Sequence, residues 1–144
     1  MGFNCTIEIF VFHQKNSFRF FYDFETPPDR PFTTSDLSKI TKNMKKIINR
    51  KLEIRREELC LDEVRRRCEG EPYKLSILDG IESSFKTSPP PPITIYHIGD
   101  EWWDVCEGPH VPSTGDICLD GFKLMSVSGS SWGGSQTNSL QRIR

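Results

Sequence analysis

The sequence predicts an α+β fold, a curved antiparallel sheet packed with one long and several short helices, on the strength of three observations. Leu37, Ile40, Met44, Ile47 and Ile48 recur at helical spacing with lysines filling the opposite face. Short β-rich runs occupy 3–12, 18–24, 52–59, 93–98 and 122–127. Clusters of proline, glycine, serine and asparagine cut the chain between them. With 144 residues there is room for one domain, which can bury ~68–70% of its unfolded surface. Only 35% of residues are hydrophobic and the last fifteen are mostly polar, so the core is expected to be modest.

In chain order, Cys5, Ile7, Ile9 and Val11 alternate with Thr6, Glu8, Phe10 and Phe12, which reads as a strand. His13-Gln14-Lys15-Asn16 then turns the chain into the second run, Phe18–Phe24, to close a hairpin that Pro27, Pro28 and Pro31 end. Thr34 or Ser35 caps the long helix, with Asp36 in its first turn near the positive end of the dipole. Residues 52–59 form a strand with Leu52 and Ile54 inward, 61–68 a short helix, and Pro72 opens another. Ser83–Pro92, a serine pair and then four prolines, is a stiff surface loop, extended at ~3.1 Å per residue along the prolines. Ile93–Ile98 is a strand that delivers Trp102 and Trp103, and Phe122–Val127 is the last clear strand. In a strand the two tryptophans point to opposite faces, so one is expected in the core and the other at an exposed rim.

A net charge of −1 by itself favours neither nucleic acid nor membrane. Yet eleven of the nineteen Lys and Arg residues lie between Lys39 and Arg67, against six acids from Asp36 to Glu63. Such a stretch can follow a phosphate backbone, or simply be the solvated face of a helix. Lys42, Lys45, Lys46 and Arg50 are its candidate RNA-binding residues. Five cysteines at irregular spacing, without a C-x-x-C pair, argue for a reducing compartment. No apolar run approaches the ~20 residues of a membrane span, and the N-terminus has no secretory pattern, so no membrane partner is expected. Met1-Gly2-Phe3-Asn4-Cys5-Thr6 fits a loose N-myristoylation pattern, but the same residues open the first strand.

The most informative run is Asp104-Val105-Cys106-Glu107-Gly108-Pro109-His110-Val111-Pro112-Ser113-Thr114-Gly115. It sets a thiol and an imidazole four residues apart, on a loop that Gly108 and Pro109 keep from being helical. Cys106 and His110 are therefore candidate catalytic residues or two ligands of a zinc ion. The plain alternative is a buried cysteine beside a surface histidine. Asp104 is a candidate to orient a ring nitrogen or to bond the loop backbone. His97 on a strand and His13 in a turn are read as ordinary structural histidines.

Several words of the sequence together carry a resemblance. They are Phe21-Tyr22-Asp23-Phe24, Pro31-Phe32, Asp36-Leu37 with Lys39-Ile40, Glu71-Pro72-Tyr73-Lys74-Leu75, Tyr96, Gly99-Asp100 and the Cys/His run. Lys123-Leu124, Ser126-Val127, Gly129, Trp132 and Leu140-Gln141-Arg142-Ile143 continue it. In this order they resemble threonyl-tRNA synthetases, in the second half of the editing region shared with alanyl-tRNA synthetases. Gly99-Asp100-Glu101-Trp102-Trp103-Asp104 is most similar to the cyanobacterial and organellar versions. The resemblance covers about 18–143, leaving 1–17 as a non-matching segment and 83–92 as an insertion.

The resemblance implies a synthetase editing domain, whose reaction is hydrolysis of serine mischarged onto threonine-specific tRNA. Serine lacks one methyl of threonine, and one carbon group supplies only ~1–3 kcal/mol of discrimination, so a second hydrolytic pocket is needed. It implies that Cys106 and His110 belong to that pocket, with zinc possible, and that the partners are the acceptor end of tRNA and a full-length synthetase, with no DNA. ATP and magnesium belong to threonylation by the full-length enzyme, whose catalytic domain would follow Arg144. The compartment implied is the cytoplasm, or a mitochondrion or chloroplast if a transit peptide precedes the chain.

Three departures qualify this. The family's pocket joins a His-x-x-x-His helix to the Cys-x-x-x-His loop, and His13, His97 and His110 form no such pair. Ser130-Ser131-Trp132-Gly133-Gly134-Ser135 stands where the family usually reads Ala-Tyr-Trp-Arg-Gly-Asp. Cys60 replaces a helix-capping serine, a loss of ~1 kcal/mol. Little hydrolysis is expected from the chain alone, and the alternative is a non-enzymatic module that binds tRNA or a synthetase through the 39–67 face.

Overall fold

A computed structural model of the chain describes residues 5–6, 21–86, 89–132 and 135–144, with 5–6, 131–132 and 135–139 described by backbone alone. The expected turn at 13–16 and most of the first two β-rich runs lie outside the described residues. The α+β architecture is as the sequence predicts, and its strands are shared between two antiparallel sheets. The chain divides into two compact units, one of residues 1–47 with 118–144 and one of residues 48–117.

In the first unit the sheet order is β1 (Cys5–Thr6), β2 (Tyr22–Glu25), β7 (Ser135–Ile143) and β6 (Val127–Trp132). Cys5 pairs with Phe24 and Thr6 with Asp23, the described part of the expected hairpin. The last strand begins at Val127, not Phe122, and the polar tail that offers little to a core pairs with it as a hairpin. Long-range polar bonds stabilise this arrangement. Asp23, 2% exposed, accepts from Arg142 Nε at 2.7 Å and Nη2 at 2.6 Å and from Ser130 Oγ at 3.1 Å. Gln141 Nε2 donates to the Phe32 carbonyl at 3.0 Å, and its Oε1 accepts from Phe32 N–H. Leu140 and Ile143 are the buried apolar residues of β7.

Helix α1 (Thr34–Asn49) begins at Thr34, so both expected caps lie inside its first turn. Asp36 fixes its start by accepting from Thr33 N–H at 2.9 Å and Thr33 Oγ1 at 2.8 Å, and these bonds hold its carboxyl below the usual range. Leu37 and Ile48 of the apolar stripe are buried and Ile40 and Met44 half-buried, but Ile47, expected in the same stripe, is 42% exposed.

In the second unit β3 (Ile54–Leu59), β4 (Ile93–Ile98) and β5 (Trp102–Val105) form a three-stranded sheet in that order. Helices α2 (Leu61–Arg67) and α3 (Pro72–Ser84) supply the rest of the unit. Leu61, Val64, Cys68, Leu78, Ile93 and Ile95 are its buried core, with Leu75, Ile81, Phe85, Trp103 and Val105 packed against them. Cys60 caps α2 without a side-chain hydrogen bond, as the exchanged serine implies. Ser83 and Ser84, assigned to the loop by sequence, complete α3; their hydroxyls donate back to Asp79 and Ile81 carbonyls at 2.8 and 2.6 Å. Leu52 falls outside β3 and is instead clasped to Thr114, N–H to Oγ1 at 2.9 Å and carbonyl to N–H at 2.8 Å.

Candidate functional site

The site is built on one face of the β3–β4–β5 sheet. Tyr96 lies beside Arg56 on β3 and Asp104 on β5, so these three residues form a row across the sheet. Alternation along β5 places Trp102, Asp104 and Cys106 on that same face. The loop after β5 then folds back over it. Ile54 N–H donates to the Pro112 carbonyl at 2.8 Å, Glu53 bridges Ser113, and a single 3₁₀ turn (Thr114–Asp116) with Ser113 as its capping residue closes the return.

This return brings Cys106 Sγ within 3.2 Å of His110 Nε2. The sulfur also accepts from Gly108 N–H at 3.4 Å. The imidazole stands edge-on to Tyr96, with ring centroids 4.3 Å apart. Gly108 has φ +73°, and a Cβ there would lie 2.7 Å from Tyr96 Cζ, so only glycine lets the loop descend onto the ring. The Gly108–Pro109 peptide is cis. Part of the His110 ring reaches solvent, yet the protein packed around it disfavours the imidazolium and holds its pKa below 6.5.

Asp104 is 4% exposed and keeps to the backbone: its Oδ1 accepts from Val105 N–H at 2.8 Å. The same oxygen is 3.5 Å from Lys74 Nζ, a residue that the sequence reading did not single out for the site. Lys74 is buried, bonded to Glu71 at 2.8 Å and set 5.3 Å from the centre of the Trp103 ring. Burial pushes its pKa down, but the Glu71 hydrogen bond and the Asp104 and Glu71 charges prevail, leaving it above the usual value. The signal was present in the sequence. Lys74 falls on the stripe of Leu78, Ile81 and Phe85, a charge where a core residue is due.

The other candidates are placed as follows. His97 points to the opposite face, toward the helices, and bonds Glu57 Oε2 at 2.7 Å. It does not join Cys106 and His110. Trp102 is 41% exposed while Trp103 packs on the core, as alternation predicts. Lys42 and Lys46 are exposed on α1 and Lys45 is half-buried. Arg50 is engaged by Glu101, with Nη1 donating to Oε2 at 2.8 Å. His13 lies outside the described residues.

Cys106 and His110 are the right donor types for zinc, but among the described residues no group of three His, Cys, Asp or Glu side chains is placed to hold a metal ion. Two donors fall short of the three or four that zinc sites use, and the residues described do not fit the ion.

Residues 93–144, from β4 through the Cys/His loop to the end, match the family described as the threonyl and alanyl tRNA synthetase second additional domain. The threonine–tRNA ligase of Synechococcus elongatus is 49% identical over 127 residues, 86% of this chain and 19% of that protein. That of Thermosynechococcus vestitus is 50% identical over 127 residues, again 86% of this chain and 19% of its own length. This chain is a relative of the threonine–tRNA ligases. The organellar branch is represented too: threonine–tRNA ligase, chloroplastic/mitochondrial 2, of Arabidopsis thaliana is 46% identical over 86% of this chain and 18% of its own. The chain thus spans about a fifth of the length of these ligases, and within it the family model covers the Cys/His loop whole. Among the described residues no helix of this ligase relative is long and apolar enough to cross a membrane.

Proposed function

We propose that this chain supplies the Cys/His half of a pocket that hydrolyses the seryl ester of mischarged threonine-specific tRNA, and that it turns over little substrate by itself. The observation that carries this reading is the 3.2 Å contact between Cys106 Sγ and His110 Nε2 on a loop seated against Tyr96. Because the ring is held neutral near pH 7, one of its nitrogens accepts a proton. With Nε2–H donated to the sulfur, Nδ1 is the free acceptor, able to take a proton from a water attacking the ester carbonyl. Cys106 fixes the ring in that orientation, and Lys74 and Asp104 anchor the strand from which the loop departs.

One imidazole and one thiol provide a base and its orienting group. They do not provide the donors that stabilise the developing oxyanion, which is usually the largest contribution to catalysis. The other half of the family's pocket is a His-x-x-x-His helix, a pattern absent from this sequence. The test is deacylation of Ser-tRNA by the purified chain, alone and mixed with a separate segment carrying that helix. Background rates alone, rising at least tenfold on mixing and falling again with His110→Ala, are expected. Turnover by the chain alone at the rate of an intact editing domain overturns the half-pocket reading.

A second reading, a non-enzymatic module that binds tRNA, is favoured by one observation. Lys42 and Lys46 are exposed on α1 and, among the described residues, form no ion pair. The two readings are compatible, since a pocket for a tRNA terminus needs the rest of the tRNA held nearby.

A further inference from the structure

The basic stretch 39–67 is electrically two different surfaces. Most of its arginines are neutralised within the chain. Arg50 pairs with Glu101, Arg56 with Glu58, and Arg66 with Glu63. Arg65 reaches Asp79 at 2.7 Å and also Glu82, while Arg67 reaches Glu63 at 3.1 Å and Glu57 at 3.2 Å. These pairs raise the pKa of Arg50, Arg56, Arg65 and Arg67 and lower that of Glu101, while Glu57 is lowered first by its hydrogen bond to His97 and then by Arg67.

The lysines of α1 are arranged otherwise. Lys39, Lys42 and Lys46 stand at i, i+3 and i+7, within a ~60° arc of the helix and spread over ~10 Å of its length. That arc lies opposite the stripe of Leu37, Met44 and Ile48. Lys39 has only a 3.9 Å approach to Asp36, with its side chain 81% exposed, and Lys42 and Lys46 have no ion pair among the described residues. Asn43 and Asn49 flank the row, and Asp36 is the one acid in the helix. The helix carries no aromatic side chain, so it offers charge without a base-stacking surface.

We propose that Lys39, Lys42 and Lys46 form a contact row for the phosphate backbone of an RNA duplex, and that the ion-paired Arg50, Arg56, Arg65, Arg66 and Arg67 take no part. This rests on the tRNA reading above and narrows its binding surface to one face of one helix. It also revises the candidate set: Arg50 leaves it, Lys39 enters, and half-buried Lys45 falls to its margin.

The test is binding of the full chain to tRNA, to a 12-base-pair RNA duplex and to a single strand of the same length, between 50 and 200 mM salt. Lys39→Gln/Lys42→Gln/Lys46→Gln is expected to weaken tRNA and duplex binding at least tenfold at 100 mM salt. It should flatten the log–log salt slope by roughly 2 to 3, one counterion release per lost phosphate contact. Arg50→Gln/Arg56→Gln/Arg66→Gln should stay within twofold of the wild type. Circular dichroism melts show whether the lysine variant keeps α1. If it melts early, charge reversal of Lys42 alone, which must weaken binding at least threefold, decides instead. Wild-type tRNA binding that survives the lysine changes, equal loss in the arginine variant, or a tenfold preference for the single strand overturns the row while leaving the tRNA reading in place. No salt-sensitive binding of tRNA by the wild type at 50 mM overturns that reading itself.

Discussion

The two faces of the β3–β4–β5 sheet do different work. One is apolar and closed: Ile93, Ile95, Trp103 and Val105 meet Leu61, Val64 and Leu78 from the helices, and even its histidine, His97, is tied to Glu57. The other carries Arg56, Tyr96, Asp104 and Cys106, and the loop after β5 folds back so that His110 meets Cys106 and Tyr96. Strand alternation alone separates them, so neighbouring residues such as Tyr96 and His97 serve unrelated ends. The lesson is that histidines in one strand-and-loop unit cannot be pooled as ligands until their face is known.

Lys74 joins the two faces, touching Trp103 on one side and Asp104 on the other, and its loss should have the largest effect. Lys74→Ala leaves Asp104 buried without its cation and is expected to cost about 3–5 kcal/mol in urea denaturation. If it costs under 1 kcal/mol, the buried pair is not what links the faces. On the closed face alone, Leu78→Ala removes a fully buried side chain and should cost about 2–5 kcal/mol. On the open face, Gly108→Ala forces an alanine to φ +73° and into Tyr96. A loss of about 1–3 kcal/mol is expected, with the His110 ring displaced in NMR spectra. Trp102→Ala, at the exposed rim, should stay within about 0.5 kcal/mol and so mark the lower bound of the comparison.

The pH dependence of the open face has a definite sign. His110 is held neutral, with its folded pKa below 6.5. Its contribution to stability is therefore complete above the unfolded pKa and is lost as pH falls through the lower folded value. An imidazole titration should show that lowered midpoint, and Tyr96→Ala should move it upward by removing the packed ring. A midpoint unchanged in the variant would mean that Tyr96 is not what shields the histidine.

How much of this was legible in the sequence follows the same division. The α1 stripe, β4 and the opposite exposures of Trp102 and Trp103 follow from periodicity, because burial on one face is a local signal. The Cys106–His110 pair was legible because Gly108 and Pro109 exclude a helix and force a loop. The β6–β7 hairpin was not, since the Ser, Gly, Gln and Asn that dominate it are weak strand formers. Asp23–Arg142 and Phe32–Gln141, 119 and 109 residues apart, are bonds no local pattern reveals. Lys74 showed itself as a charge on an apolar stripe, while its partner Asp104 lay thirty residues away.

The central claim, that the open face and not the closed one is the chemical surface, is tested most directly by an NMR titration of the histidine rings. The probe is a non-hydrolysable amide analogue of 3′-seryl adenosine. The account predicts that the His110 resonances shift and saturate while those of His97 stay fixed. Shifts at His97 with His110 unmoved would contradict it.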